Sequence, residues 1–120
     1  MEPGPARFLI VDDEPDMCWA FEQILRRKAV ACERAQSAGE ALRLLQEGSF
    51  SMAFVDAKLP DMDGLELARR MRLIAPATRI LMVSGYFYKN DPAIQEAIAS
   101  GAICGFIGKP FAHEEILKFV

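Results

Sequence analysis

The sequence lacks the long apolar runs, the positive charge and the paired cysteines that mark several large classes of protein. No apolar stretch approaches the ~20 residues needed to span a bilayer. Met1-Glu2-Pro3-Gly4-Pro5 has neither the basic nor the apolar region of a signal peptide, and residues 1–6 read as a short flexible leader. Lys and Arg number 14 against 17 Asp and Glu, a net charge of −3, which argues against a general nucleic-acid-binding surface in this segment. Cys18, Cys32 and Cys104 are odd in number, widely spaced and form no Cys-x-x-Cys pair. They are expected as reduced thiols of a cytoplasmic protein. The one histidine, His113, begins a surface helix and is expected to be solvated, not a phosphodonor. No repeat, low-complexity tract or linker interrupts the chain, so residues 7–120 read as a single domain.

What is present is a strong alternation. Hydrophobic residues make up 52% of 120, enough for one well-filled core. Arg7–Val11 is a nearly continuous apolar run, as expected of a strand covered on both faces. Pro15 opens a helix at its first turn, and Met17, Phe21, Ile24 and Leu25 follow at helical spacing toward Arg26-Arg27-Lys28. Ala29–Ala35, with Glu33 and Arg34, suits an edge strand. Ser37 and Glu40 form a capping-box pattern for a helix that carries Ala41, Leu42 and Leu45 and stops at Gly48.

Met52–Val55 reads as a central strand, Leu59–Gly64 as a loop, and Leu65, Ala68, Met71 and Arg72 as one side of a helix ending before Pro76. Arg79–Val83 is another buried strand. Asp91-Pro92 caps and opens a helix carrying Ile94, Ala97 and Ile98, which ends at Gly101. Cys104–Ile107 is a short last strand. Ala112–Val120 is a final helix of barely two turns, which suggests a segment cut from a longer chain. The order βαβαβαβαβα predicts an open, doubly wound parallel sheet of five strands with helices on both faces. Ligands of such sheets bind at the carboxyl ends of the strands.

Charged and polar groups gather at those ends. Asp12-Asp13-Glu14 follows the first strand, Asp56 the third, Ser84 the fourth and Lys109 the fifth. Adjacent carboxylates repel one another unless a cation or a proton neutralises them. Converging on one sheet edge, they predict an acidic cation-binding pocket with a lysine beside it.

At this point the chain resembles a receiver domain of two-component response regulators. The resemblance spans nearly the whole chain. It rests on Val11-Asp12-Asp13-Glu14-Pro15, on Asp56-Ala57-Lys58-Leu59-Pro60-Asp61-Met62-Asp63-Gly64, on Val83-Ser84-Gly85 and on Lys109-Pro110-Phe111, in order and at successive strand ends. It implies a flavodoxin-like (βα)5 fold with strand order 2-1-3-4-5, the order of the family's chemotaxis member. It implies Asp56 as phosphoryl acceptor, with Asp13 and Asp56 as direct Mg²⁺ ligands, Asp12 acting through water and the Lys58 backbone carbonyl as a further ligand. Lys109 would pair with Asp56 at rest and with the phosphoryl oxygens afterwards, and Ser84 would donate its hydroxyl to one of them. The Lys109-Pro110 bond is usually cis in the family. Ser84 and Phe106 would be the switch pair, acting on the face of the fourth helix, fifth strand and fifth helix. That face could also serve a homodimer. The implied partner is a sensor histidine kinase or a histidine phosphotransfer protein, with no membrane and no nucleic acid bound by this domain.

The chain departs from the family pattern in places. Serine replaces the commoner threonine at Ser84, and phenylalanine the more familiar tyrosine at Phe106. The stretch from Ser84 to Gly101-Ala102 is about two residues longer than usual and carries Tyr86-Phe87-Tyr88, a patch that suits loop packing or a partner surface equally. One more residue is inserted before Phe106. These changes motivate an alternative: a receiver-like interaction module that works without phosphorylation. A third reading, a phosphatase with an aspartyl-phosphate intermediate, needs a second Asp two residues after the nucleophile, where this chain has Lys58. Each residue also has a plain role: Asp12 and Asp13 as helix-start charges, Ser84 as a strand-end cap, Phe106 as core. Asp61 and Asp63 read as turn and cap residues, since the spacing and the missing distal glutamate fail the EF-hand pattern.

Overall fold

The computed structural model describes residues 7–28, 30–85 and 91–120. The leader at 1–6, the first residue of the predicted edge strand (Ala29) and the aromatic insertion Tyr86-Phe87-Tyr88 lie outside the described residues.

Apolar runs become strands where both faces are covered. β1 (Arg7–Val11), β3 (Met52–Asp56) and β4 (Arg79–Ser84) are buried almost throughout, while β2 (Ala31–Ala35), at one edge, is only partly buried. β5 (Gly105–Gly108) forms the other edge. The sheet is wholly parallel, in the order β2-β1-β3-β4-β5, as expected. The helices are α1 (Pro15–Arg26), α2 (Ala38–Glu47), α3 (Gly64–Ile74), α4 (Pro92–Ala99) and α5 (His113–Leu117). None, among the described residues, is long and apolar enough to cross a membrane.

The period-two alternation of the strands divides the core between two faces. Leu9, Val11, Ala53, Val55, Ile80 and Met82 point to one side, against Ala41, Leu45, Leu67, Met71, Ile94 and Ala97. Phe8, Ile10, Phe54, Leu81, Val83 and Ile107 point to the other, against Phe21, Ile24, Leu25 and Ile116. The Phe54 and Phe21 rings lie 4.9 Å apart there, and Phe111 extends the stack at 5.0 Å from Phe21. Two fully buried residues, Cys18 and Leu67, belong to this core although the helical stripes did not single them out.

Some boundaries differ from the sequence reading for local reasons. α1 stops at Arg26 and the chain turns through Lys28. β5 lies one residue later than predicted, because Cys104 donates its N–H to the Ile80 carbonyl but is exposed ahead of the strand. Arg72 is not on the inner side of α3; its guanidinium turns out to the Gly101 carbonyl, while Leu67 fills the core. α5 has five residues rather than nearly two turns, ending in Lys118 and tight turns to Val120. Gly48 ends α2 in an extended conformation (φ −158°), not a left-handed one, and a side chain there would meet the Arg7 guanidinium. Gly101 does take the left-handed form, with φ +80°, as α4 ends.

Candidate functional site

The register sets the site. Val11 pairs with Val55, so the residues after them, Asp12 and Asp56, emerge side by side. Asp56 pairs with Val83 and Ser84 with Gly108, which puts Lys109 one step beyond on the far side. The Lys109 N–H donates to the Ser84 carbonyl at 2.9 Å, and the Lys109-Pro110 peptide is cis.

Lys109 reaches across the edge. Its Nζ lies 3.0 Å from Asp12 Oδ2 and 3.4 Å from Asp56 Oδ2. The expected resting partner was Asp56; the shorter contact is to Asp12. Asp12 is the deeper carboxylate, almost without exposure, and its other oxygen accepts the Glu14 N–H at 2.9 Å. The remaining Asp56 oxygen accepts the Lys58 N–H at 3.2 Å. Asp13 and Glu14 are exposed at the rim. Below them the Cys18 thiol donates to the Asp12 carbonyl at 3.5 Å.

The electrostatics follow from this crowding. Burial pushes the Asp56 carboxyl above its ordinary value, and the neighbouring Asp12 charge adds to the effect; the Lys58 N–H and Lys109 oppose it. Burial alone would lower the Lys109 ammonium, but its hydrogen bond to Asp12 and the charges of Asp12 and Asp56 outweigh that and raise it. Burial, helped by Asp12, pushes the Cys18 thiol up to about 11.

A cleft of about 500 Å³ opens over these groups, lined by Asp13, Glu14, Asp56, Lys58, Leu59, Pro60, Gly85 and Lys109. Asp12, Asp13, Glu14 and Asp56 each offer an oxygen within 4.8 Å of the others. An all-oxygen, strongly anionic donor set suits a hard divalent cation such as Mg²⁺. The residues present therefore fit the metal the sequence suggested, with Asp12 already engaged by Lys109.

The loop after Asp56 is folded back tightly. The Ala57 N–H donates to the Val83 carbonyl, the Gly64 N–H to the Ala57 carbonyl at 2.8 Å, and Lys58 pairs antiparallel with Asp63. A Cβ on Gly64 would collide with the Asp56 carbonyl oxygen and come within 2.7 Å of the Ala57 Cα, so only glycine fits. Asp63 caps α3 by accepting the Leu65 N–H at 2.7 Å.

Ser84 is buried at the end of β4. Phe106 is buried on the same face of the sheet, aligned with Met82, two residues before Gly108, the register partner of Ser84. A Cβ on Gly108 would stand in ordinary contact with the Phe106 ring at 3.9 Å and the Ser84 carbonyl at 4.0 Å, so Gly108 lies next to both. Sequence reasoning missed three contacts: Cys18 beneath Asp12, Arg72 on Gly101, and Asp61, whose carboxylate accepts the N–H groups of Ala38 and Gly39. Only the Asp61 contact had a visible signal, an aspartate in a turn.

Comparison with known proteins places this geometry. A family model for the response regulator receiver domain matches residues 8–120. The C4-dicarboxylate transport transcriptional regulatory protein DctD of Rhizobium meliloti (strain 1021) is 33% identical over 118 residues, covering 98% of this chain and 25% of that protein. Among solved structures, a CheY-like response regulator receiver domain protein from Methanospirillum hungatei JF-1 superposes with a TM-score of 0.87 at 30% identity, covering 97% of this chain and 90% of that one. A response regulator protein from Burkholderia pseudomallei with a phosphorylated aspartic acid and a calcium ion superposes with a TM-score of 0.82 at 28% identity, covering 93% and 64%.

Proposed function

We propose a function from one premise: the chain belongs to the response regulator receiver domain family. It is a two-component signalling domain with the flavodoxin-like fold of that family. It spans a quarter of the length of DctD.

Asp56 accepts a phosphoryl group from a phosphohistidine. The observation that carries this reading is the position of Asp56: buried at the strand end, in an open acidic cleft, with one oxygen 3.4 Å from Lys109 Nζ. An Asp56 carboxylate oxygen attacks phosphorus. As the new O–P bond forms, the P–N bond to the donor imidazole breaks, and the imidazole leaves with that electron pair and takes up a proton. Lys109 shifts from Asp12 and Asp56 toward the phosphoryl oxygens, where charge develops. Ser84 donates its hydroxyl to another of them. Water later attacks phosphorus, releasing phosphate and restoring Asp56. The domain catalyses only its own phosphorylation and dephosphorylation.

Asp13, Asp56 and the Lys58 carbonyl would hold Mg²⁺, with Asp12 acting through water. Mg²⁺ would offset the charge between the acidic edge and the incoming phosphoryl group. Support comes from the shared oxygen cluster and from the similar Burkholderia structure, which carries calcium and a phosphorylated aspartic acid.

Receiver domains work with histidine kinases or phosphotransfer proteins. The partner of this domain, itself cytoplasmic, is a phosphohistidine donor of that kind. Phosphorylation would draw Ser84 toward the phosphoryl group and let Phe106 rotate into the space Ser84 vacates, reshaping the α4-β5-α5 face and favouring a homodimer there. With Mg²⁺ and acetyl phosphate, intact mass should rise by one phosphoryl group in the native protein and not in Asp56→Asn. No adduct, with a cognate kinase as well, would sink the proposal in favour of an interaction module. Sizing with and without beryllofluoride tests the dimer.

A further inference from the structure

The loop between β3 and α3 has its feet pinned by backbone hydrogen bonds, but its tip has a different anchor. Between the Lys58–Asp63 bridge run Leu59, Pro60, Asp61 and Met62. Leu59 is buried, while Pro60 has no N–H and is exposed. Asp61 sits on the surface, and its side chain leaves the loop altogether. Oδ1 accepts the Ala38 N–H at 2.9 Å and Oδ2 the Gly39 N–H at 3.0 Å, one oxygen to each of the first two N–H groups of α2.

Those N–H groups have no partner within the helix, and the helix dipole favours an anion beside them. A local cap is already in place. Ser37 accepts the Glu40 N–H at 3.2 Å, and Glu40 reaches back to the Gln36 N–H. α2 thus has its own start signal. A second carboxylate, arriving from 22 and 23 residues away, does something a local cap cannot: it ties the loop to the helix.

The tied loop contains Lys58, whose N–H holds Asp56 Oδ1 at 3.2 Å and whose carbonyl, on the reading above, is a cation ligand. We infer that Asp61 is a positioning residue: by anchoring the loop tip to α2, it holds Lys58 in register with Asp56. The carbonyl part of this inference rests on the proposed Mg²⁺ site; the Lys58–Asp56 contact does not.

The test uses the full chain with Asp61→Ala, Asp61→Asn and Ser37→Ala. Isothermal calorimetry with MgCl₂ reads the cation, thermal melting reads the fold, and amide hydrogen exchange without added metal reads the Lys58 N–H. Asp61→Ala should weaken Mg²⁺ binding about tenfold, as loss of an outer partner of a ligand does, and should speed Lys58 exchange. Asp61→Asn keeps an oxygen acceptor and should fall between. Ser37→Ala should lower the melting temperature while leaving Mg²⁺ affinity and Lys58 exchange unchanged. If Asp61→Ala lowers only the melting temperature, as Ser37→Ala does, Asp61 is a helix cap and the inference is overturned. Should the native protein take up no Mg²⁺ while Asp61→Ala still speeds Lys58 exchange, the cation reading fails and the anchor stands.

Discussion

The aspartates at the carboxyl edge of the sheet and those at the helix starts around it live under opposite conditions. Asp12 and Asp56 are buried next to each other and share one lysine. Asp63, Asp91 and Asp61 stand at helix starts and accept backbone N–H groups from Leu65, from Ala93, and from Ala38 and Gly39, while Asp12 and Asp56 each accept one backbone N–H and share Lys109. Burial raises the Asp56 carboxyl, whereas the Ala38 and Gly39 N–H groups pull the Asp61 carboxyl below its usual range. The helix-start aspartates favour the fold as it stands. The burial of Asp56 beside Asp12 opposes it, and that opposition is relieved by a cation or by moving charge onto a phosphoryl group. At rest the two edge carboxylates divide one lysine between them, so a cation or a phosphoryl group brings charge that Lys109 alone does not supply.

The largest test of this contrast strikes where the two regions meet. Gly64→Ala would drive a methyl into the Asp56 carbonyl at the first residue of α3. We expect a loss of about 4 kcal/mol, read in urea unfolding, with phosphorylation abolished. Lys109→Met removes the one cation contacting both edge carboxylates in the described residues. That should cost about 3 kcal/mol at neutral pH, with part of the loss recovered in millimolar Mg²⁺. No recovery would show that the edge is not a cation site. Asp56→Asn goes the other way: the fold should gain about 1 kcal/mol without metal while losing the phosphoryl adduct. A destabilised Asp56→Asn would mean that the edge is not strained, and the contrast would fail.

The smallest effect belongs to Asp61 and carries a pH signature. Its carboxyl is held below its usual value by the Ala38 and Gly39 N–H groups. A depressed folded value means that the stabilisation is fully present above the unfolded value, about 3.9, and is lost as pH falls through the folded one. Asp61→Asn should therefore melt a few degrees lower at pH 7, and the gap from the native protein should narrow below about pH 4. A gap that is constant with pH would show that geometry, not charge, matters at Asp61.

The central strands were legible because strands covered on both faces need apolar residues at nearly every position; Arg7–Val11, Met52–Val55 and Arg79–Val83 read directly, the last two ending one residue short. Caps were legible because a cap is local: Ser37 and Asp91 lie within three residues of the N–H groups they accept. Edges and ends were not. β5 holds two glycines and is shaped by its neighbours, so its boundary slipped by one residue. The residues of the acidic edge were named from sequence, but the preference of Lys109 for Asp12 depends on relative depth, which a linear pattern does not encode. Asp61 was read as a turn residue because the N–H groups it meets lie more than twenty residues earlier in the chain.

The Cys18 thiol, buried on the inner face of α1 and donating to the Asp12 carbonyl, has one more consequence. Thiol reagents attack the thiolate, and a group titrating at about 11 offers almost none at neutral pH. Cys104 is exposed and Cys32 half-buried, so the three sulfurs should react with a small alkylating agent in the order Cys104, Cys32, Cys18. The last of these is a clock for the opening of α1, placed one residue layer below the acid edge. Peptide mass mapping of the alkylated protein can time how often that layer parts, and whether acetyl phosphate slows or quickens it.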